Sequence, residues 1–192
     1  MTSAPRRTQA ERRRETQAAV LGSAARLFGD AGYAATSLEQ IAADAGTTIR
    51  PVYHYFGNKQ ALFEAVVEAH EAQLLEVLQD ASFPPGKAGL LARFRACLTL
   101  LSRRDFQRVV LVDAPAVLGK SRWADSPVVQ AAGELLGTLP LGADPVQAAL
   151  LRRMLIGALT EAALTLAESR TQRELEQRTN ALLRLAALLP AP

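Results

Sequence analysis

Side chains that could hold a phosphate lie close together in the stretch IRPVYHYFGNK. Tyr53 and Tyr55 stand on either side of His54, although the whole chain has only 3 Tyr, 6 Phe and 1 Trp. Arg50 and Lys59 add positive charge near the two ends of the stretch. Hydroxyl groups and basic side chains are the groups that proteins use to contact nucleic-acid backbones. These residue types therefore predict contact with a phosphate polyanion.

The same aromatic side chains could instead be packing residues. This alternative is favoured for Phe56, which would close its helix against neighbouring helices, and it applies in part to Tyr53. It fits Tyr55 poorly, because the residues around Tyr55 are polar. His54 is either a phosphate contact or simply exposed to solvent.

The distribution of charge also favours a polyanion partner at the N-terminal end. Residues 1–60 carry eight Lys and Arg against five acidic residues, whereas residues 61–192 carry fourteen of each. The whole net charge of +3 therefore lies in the first third of the chain. The basic stretch RRTQAERRR, residues 6–14, could follow the minor groove or the phosphate backbone of DNA. A solvated basic tail is the alternative.

An all-α fold must position these groups. Apolar residues make up 49% of the chain and are mainly Ala and Leu, which favours helices over strands. The stretch SFPPGK interrupts the helical pattern and is the best domain boundary. Apolar periodicity and capping signals predict nine helices, at about residues 9–29, 38–45, 49–55, 59–79, 87–103, 105–118, 126–137, 145–168 and 171–189.

The second and third helices have the spacing of a helix-turn-helix. Ser37 and Gln40 predict a capping box at the start of the second helix. Ala42 is small enough for the third helix to pack across it, Gly46 can take the left-handed turn, and Val52 can seal the two helices against the first. A helix-turn-helix places its second helix in the major groove of DNA.

The sequence AARLFGDAGYAATSLEQIAADAGTTIRPVYHYFGNKQALFEAV, residues 24–67, resembles the DNA-binding domain of TetR-family transcriptional regulators. The matching features are the Phe28–Gly32–Tyr33 helix end, Thr36-Ser37, Ile41-Ala42, Ala45-Gly46, the cluster of Tyr53, Tyr55 and Phe56, and Lys59 with Leu62-Phe63. The resemblance implies a basic, flexible arm at 1–13, a DNA-binding domain at 14–74 with its motif at about 37–56, and a ligand-binding and dimerisation domain at 75–192.

The DNA contacts that the residues and the resemblance imply are concentrated around the third helix. Arg50 is the candidate to read a guanine edge, and Ile49 and Pro51 could touch thymine methyl groups. Thr47 departs from the family, which commonly has an apolar residue there, so the turn would be sealed less well. The full set of expected contacts is Thr36, Thr47, Thr48, Ile49, Arg50, Pro51, Tyr53, His54, Tyr55 and Lys59.

For the C-terminal domain the resemblance implies a small, largely apolar effector and a homodimer. The last two helices carry wide apolar faces, which suit an intersubunit four-helix bundle, although a monomer with thick core helices is the alternative. The predicted faces consist of Leu150, Leu151, Met154, Leu155, Ala158, Ala162 and Leu166 on the first of these helices, and of Leu175, Leu182, Leu183, Leu185, Ala186 and Leu189 on the second. Pro115 falls inside a helical run and predicts either a hinge or a helix boundary. The expected pocket residues are Phe94, Cys97, Leu101, Asp113, Trp123, Met154, Ala158 and Glu161.

Other functional classes lack a sequence signal. The chain contains no phosphate-cradling glycine loop, no G-x-S-x-G motif and no metal-ligand cluster, so neither an enzyme nor a cofactor is expected. The absence of a signal peptide or a long apolar run, and a single cysteine, Cys97, predict a cytoplasmic protein. The function expected is a repressor that an effector releases from a pseudo-palindromic operator in double-stranded DNA. The alternative is a DNA-binding regulator without a small-molecule effector.

Overall fold

The computed structural model describes residues 8–139 and 144–188, and over these ranges the chain forms helices and turns without any strand. The predicted all-α fold is confirmed. In chain order the helices are α1 (Gln9–Ala31), α2 (Leu38–Asp44), α3 (Ile49–Phe56), α4 (Lys59–Gln79), α5 (Gly86–Leu101), α6 (Arg104–Phe106), a π-helical segment (Gln107–Asp113), α7 (Ala114–Val117), α8 (Lys120–Ala124), α9 (Pro127–Gly137), α10 (Pro145–Ala167) and α11 (Gln172–Ala186).

Local capping explains why the first helices begin where the sequence predicts. The Gln40 amide N–H donates to the Ser37 hydroxyl (3.2 Å), and the Ser37 N–H donates to the Gln40 side chain (2.7 Å). This is the predicted capping box, and a second one built from Thr8 and Glu11 starts α1. At α4 the Asn58 side chain accepts from the Ala61 N–H (2.8 Å). Each of these bonds satisfies a backbone donor that has no partner within its helix.

Helices α1 to α4 enclose a continuous aromatic and aliphatic core. The rings of Phe28 and Phe63 meet edge to face with centroids 5.1 Å apart, and Tyr33 lies 5.0 Å from Phe63. Several large side chains in this core are completely or almost completely inaccessible to solvent, namely Val20, Phe28, Ile41, Val52, Leu62, Phe63, Val66 and Val67. On the outside, Arg26 pairs with Asp44 and ties α1 to the end of α2. The pKa of Asp44 is lowered by hydrogen bonds from Ser23 and Arg26.

Pro115 does not end the helical run in which it lies. The helical run that begins at Arg104 continues through it to Val117. A proline inside an α-helix clashes with the carbonyl four residues earlier and removes one hydrogen bond. The segment just before Pro115 is instead π-helical, and the Ala114 N–H donates to the carbonyl of Val109, five residues back. Sequence periodicity assumes a period of 3.6 residues, so it could not predict this segment.

Helix α8 was missed by the sequence analysis, because it lies in a stretch rich in turn residues. Gly119 enters it with φ 88°, a left-handed value that glycine adopts readily. Two side chains then anchor the helix. Arg122 forms a bidentate pair with the buried Glu71 of α4 (2.5 and 3.0 Å), and the Trp123 indole donates to Thr160 of α10 (3.3 Å). The Glu71 carboxylate raises the pKa of Arg122.

Helices α10 and α11 bury far less of their apolar surface than the N-terminal helices. Ala163 and Leu166 are the buried residues of α10, and Ala186 is the buried residue of α11. Of the apolar faces predicted for these helices, Leu175, Leu182 and Leu183 pack against the core. Large apolar side chains on the other side of these helices remain exposed, namely Val146, Leu150, Met154 and Leu185, and so does Leu188 in the turn after α11. Leu189, also predicted on the face of the last helix, lies outside the described residues.

Candidate nucleic-acid interface and effector cavity

Helix α3 divides its side chains cleanly between two faces. Val52 is buried, and Ile49 and Phe56 pack beside it against the core. Arg50, Tyr53 and His54 are exposed, and their spacing of three and four residues places them on one face. The described part of the chain offers Arg50 no ion pair, so its guanidinium is free to meet a partner.

The turn before α3 leaves further donors exposed. Gly46 has φ 64°, the left-handed conformation that the predicted turn requires, and the Thr47 N–H donates to the Ala42 carbonyl (2.9 Å). Thr48 occupies the N-cap position, but its side chain makes no capping hydrogen bond. The Thr48 hydroxyl and the first amide groups of α3 are thus left for another acceptor, and a phosphate at a helix N-terminus is a favourable one.

Three of the expected contact residues line one open groove beside α3. Thr36, Tyr53 and Lys59 contribute to it, together with Asn58. Lys59 begins α4, and its ammonium group lies 4.3 Å from the centre of the Tyr33 ring, a cation–π contact. This contact restrains a long side chain next to the exposed Tyr53 hydroxyl.

The structure changes the expectations for four of the residues predicted from the sequence. Only 3% of Thr36 is exposed, and its hydroxyl donates to the Gly32 carbonyl (2.9 Å), so its side chain supports the loop and is not available to DNA. Ile49 packs against the core, which argues against a thymine contact. Tyr53 is 51% exposed whereas Tyr55 is half-buried, the reverse of the order that the neighbouring residues suggested.

The remaining expected contacts are spread around this face. Pro51 is half-buried in the first turn of α3, and the Tyr55 ring packs against His54 with centroids 5.2 Å apart. The arm is helical where it is described: Arg12, Arg13 and Arg14 are exposed residues of α1, which corrects the expectation of a flexible segment up to residue 13. Arg6 and Arg7 lie outside the described residues.

Asp113 joins the DNA-facing helices to the rest of the protein. Its carboxylate accepts from the Tyr33 N–H (2.7 Å) and from Arg108 Nε (3.3 Å). The Arg108 guanidinium covers Gly32, whose φ of 84° ends α1, and a Cβ atom there would lie within 3 Å of it. Asp113 is therefore a connector between the π-helical segment and α1. Although predicted as a pocket residue, Asp113 does not line the apolar cavity of the C-terminal helices.

An apolar cavity lies between α4, α5, α9 and α10. It has a volume of about 120 Å³ and an almost wholly apolar wall. The predicted residues Phe94, Cys97, Leu101 and Trp123 line it. Burial raises the pKa of the Cys97 thiol to about 11, so this group stays protonated and uncharged. The other lining side chains are Leu74, Leu78, Leu90, Arg93, Leu98, Val128, Val129, Ala132, Leu135, Leu136, Ile156, Leu159, Thr160 and Ala163.

Three predicted pocket residues on α10 lie on its opposite side. Met154 is 68% exposed, and Ala158 and Glu161 are also exposed. Helix α10 is apolar on two faces, so sequence alone gave no basis for choosing which one enters the domain. Arg93 also lines the cavity and was not predicted, although its position next to Phe94 in the largely apolar run LLARFRACLTLL was a usable signal.

The comparisons with known proteins agree with this architecture. The model of the family described as "Bacterial regulatory proteins, tetR family" matches residues 20–66, and that of a "Tetracyclin repressor-like, C-terminal domain" matches residues 87–189. The crystal structure of a TetR-family transcriptional regulator from Pectobacterium atrosepticum is 34% identical, with a TM-score of 0.70, and covers 93% of this chain and 95% of that one.

Two further relatives are described as regulators. NalD, named as the secondary repressor of the MexAB-OprM multidrug efflux pump in Pseudomonas aeruginosa, has the same fold, with a TM-score of 0.63 at 23% identity over 91% of this chain and 96% of its own. The HTH-type transcriptional regulator AcrR of Shigella flexneri is 39% identical over 72 residues, which is 36% of this chain and only 34% of AcrR. No described helix is long and apolar enough to cross a membrane. The chain belongs to the TetR family of bacterial regulatory proteins, which are transcriptional regulators and not enzymes.

Proposed function

We propose that this regulator is a repressor that places α3 in the major groove of a pseudo-palindromic operator. The observation that carries the proposal is the division of α3, because Arg50, Tyr53 and His54 share its exposed face over the buried Val52. Arg50 is the candidate for base reading, since a guanidinium can bond two acceptors on guanine. Thr48, Tyr53 and Lys59 are the candidates for phosphate contacts, with Thr47, Pro51 and Tyr55 at the edge of the face.

We propose further that two copies join through α10 and α11. The exposed apolar side chains Met154 and Leu185 support this interface, because water-exposed apolar patches on a folded chain mark interaction surfaces. A two-fold dimer presents the same patch twice, and it would present two α3 helices to two inverted half-sites. This proposed interface includes Met154, Ala158 and Glu161, which were predicted to line the pocket but do not line the cavity. DNA as the partner makes the cytoplasm the expected compartment.

The apolar cavity supports control by a small effector. An effector releases DNA only if it binds the DNA-free conformation better than the bound one. We propose that the π-helical segment, and not a hinge at Pro115, transmits the change. This segment packs against α10, which forms one wall of the cavity, and its Asp113 holds Tyr33, whose ring contacts Lys59. These contacts support a route from the cavity wall through α10 and the π-helical segment to a candidate phosphate contact.

Selection from a random duplex DNA pool by the full-length protein tests the DNA-binding proposal. We expect enrichment of two inverted half-sites whose centres lie about one helical turn, roughly 10 bp, or a multiple of it apart. Arg50→Ala in a parallel selection should give a degenerate base at one position of each half-site. Failure to enrich any sequence, or enrichment of one asymmetric site, would contradict the proposal.

Replacing Asp113 with Ala tests the coupling. An effector found by thermal-shift screening should bind Asp113→Ala as well as wild type, because Asp113 does not line the cavity. The ratio of operator affinities without and with effector should fall towards one. Asp125→Ala, which changes an exposed aspartate at the end of α8, serves as the control and should keep the ratio. An unchanged ratio in Asp113→Ala would show that coupling follows another route.

A further inference from the structure

One residue that lines the cavity, Arg93, has a buried hydrogen-bond donor without a partner. The Nε atom of Arg93 is buried and makes no hydrogen bond with any described residue. The rest of the guanidinium is held in place: Nη2 donates to the Asp80 carbonyl (2.8 Å), and the group lies 5.1 Å from the centre of the Phe83 ring. Arg93 is therefore a cation held among the residues that line the cavity, and one of its donors is buried without a partner.

The other polar groups at the cavity are already occupied. The Thr160 hydroxyl accepts from the Trp123 indole (3.3 Å) and donates to the Ile156 carbonyl (2.9 Å). Cys97 stays an uncharged thiol, because burial raises its pKa to about 11. The described residues provide no carboxylate within ion-pair distance of Arg93. Hydrogen bonds from Ser82, and also the charge of Arg93, lower the pKa of the exposed Asp80, so this carboxylate interacts with the guanidinium without forming an ion pair with it. A buried donor without a partner is costly, and an arginine prefers an anionic acceptor.

We propose that the effector is a small amphipathic carboxylate, whose apolar body fills the cavity and whose carboxylate accepts a hydrogen bond from Arg93. The volume of about 120 Å³ is close to that of an apolar protein cavity known to hold one benzene ring, so the apolar body is the size of one ring or a short acyl chain. This inference rests on the proposed effector function and assigns the chemical class of the ligand to the same cavity.

Tryptophan fluorescence gives a direct test, because Trp123 is the only tryptophan of the chain and lines the cavity. Hexanoate, 1-hexanol and hexylamine share a six-carbon body and differ in the head group. We expect hexanoate to bind wild type most tightly. In Arg93→Gln its affinity should fall at least about tenfold, whereas the affinity for 1-hexanol should stay unchanged, because only the charged hydrogen bond is lost.

Two control variants separate the head-group claim from folding and from the cavity itself. Arg95→Gln changes an exposed arginine of the same helix and should bind hexanoate like wild type. Ala132→Phe fills the cavity and should abolish binding of all three compounds. Circular dichroism melting of each variant without ligand verifies the fold, and Arg93→Lys, which keeps the charge but lacks Nε, should recover part of the hexanoate affinity if Arg93→Gln is poorly folded.

The outcomes distinguish this proposal from the one it rests on. Equal or tighter binding of 1-hexanol, or an unchanged hexanoate preference in Arg93→Gln, would overturn the carboxylate and leave effector control intact. Failure of all three compounds to bind wild type would overturn the carboxylate class at this size. An effector that releases operator DNA from Ala132→Phe as well as from wild type would overturn the cavity as the effector site.

Discussion

The exposed face of α3 is polar, and the opposite face of this helix packs on a well-buried core. Helix α10 differs, because it exposes large apolar side chains and buries few residues of its own. Arg50, Tyr53 and His54 stand over Val52, which is 1% exposed. Met154, by contrast, lies on a helix whose buried residues are Ala163 and Leu166. The first surface needs no apolar partner and offers charge. The second surface keeps large side chains in water until something apolar covers it.

This difference indicates two kinds of partner, which respond differently to salt. Binding of basic side chains to DNA releases counterions and weakens steeply as salt rises. Association of apolar faces is driven by removal of surface from water and depends much less on screening. Substitutions on one face at a time should therefore weaken binding to one kind of partner and spare the other.

The largest expected effect is at the apolar face. Leu185→Asp should weaken dimerisation on the order of 1000-fold, because a two-fold interface loses a central apolar contact of about 2 kcal/mol in each copy. Leu182, which packs against the core of its own chain, is a poorer test because its substitution also destabilises the fold. Sedimentation velocity across a concentration series measures the effect. Ala88→Asp, the same kind of change at an exposed site on α5, should leave the dimer intact.

The next effect belongs to base reading. Arg50→Ala should cost about 1–3 kcal/mol on the operator and much less on unrelated DNA, so that specificity falls. Titration of both DNAs at fixed salt measures it, and His54→Ala on the same face is the comparison variant. An equal loss on both DNAs would place Arg50 over a phosphate instead.

Lys59 should affect affinity without affecting specificity. Lys59→Ala removes one cation held against the Tyr33 ring, so it should weaken all sequences about equally and reduce the salt slope by about one unit. Titrations at several salt concentrations check this. A change of sequence preference would mean that the start of α4 faces base edges and that α3 is oriented differently.

The smallest expected effect is at the tyrosines. Tyr53→Phe and Tyr55→Phe each remove a neutral donor, so the salt slope should not change in either. Tyr53 is the more exposed, and its loss should weaken DNA binding modestly, while that of Tyr55 should have less effect. The same titrations measure both variants, and a larger loss for Tyr55→Phe would restore the order suggested by the sequence.

Local signals made the N-terminal third predictable. The capping box of Ser37 and Gln40, the glycine turn at Gly46 and the bounds of α4 each depend on residues within a few positions of one another. The fold and the general location of the DNA face could thus be predicted. The exposure of the individual α3 side chains was harder to predict. The rotation of α3 against its neighbours decides which of Tyr53 and Tyr55 faces solvent, and local sequence does not fix that rotation.

Contacts between residues far apart in the sequence could not be predicted. Asp113 binds Tyr33 across 80 positions, and nothing in its own neighbourhood indicates this partner. The π-helical segment changes the period of the helix and with it the direction of every side chain that periodicity would place. Met154 was predicted both in the pocket and on the dimer face, because α10 is apolar on two sides and only packing of the whole domain decides between them; in the structure it is exposed.

The central claim is that two α3 helices bind one operator because the apolar faces of α10 and α11 join two copies of the chain. Its most direct test measures binding of wild type and Leu185→Asp to the full operator and to a single half-site, at the same salt and at micromolar protein. We predict that wild type binds the full operator much more tightly than the half-site, whereas Leu185→Asp binds both with similar affinity. Both proteins should bind the half-site with similar low affinity. A wild-type protein that sediments as a monomer under these conditions and still binds the full operator tightly would contradict the claim.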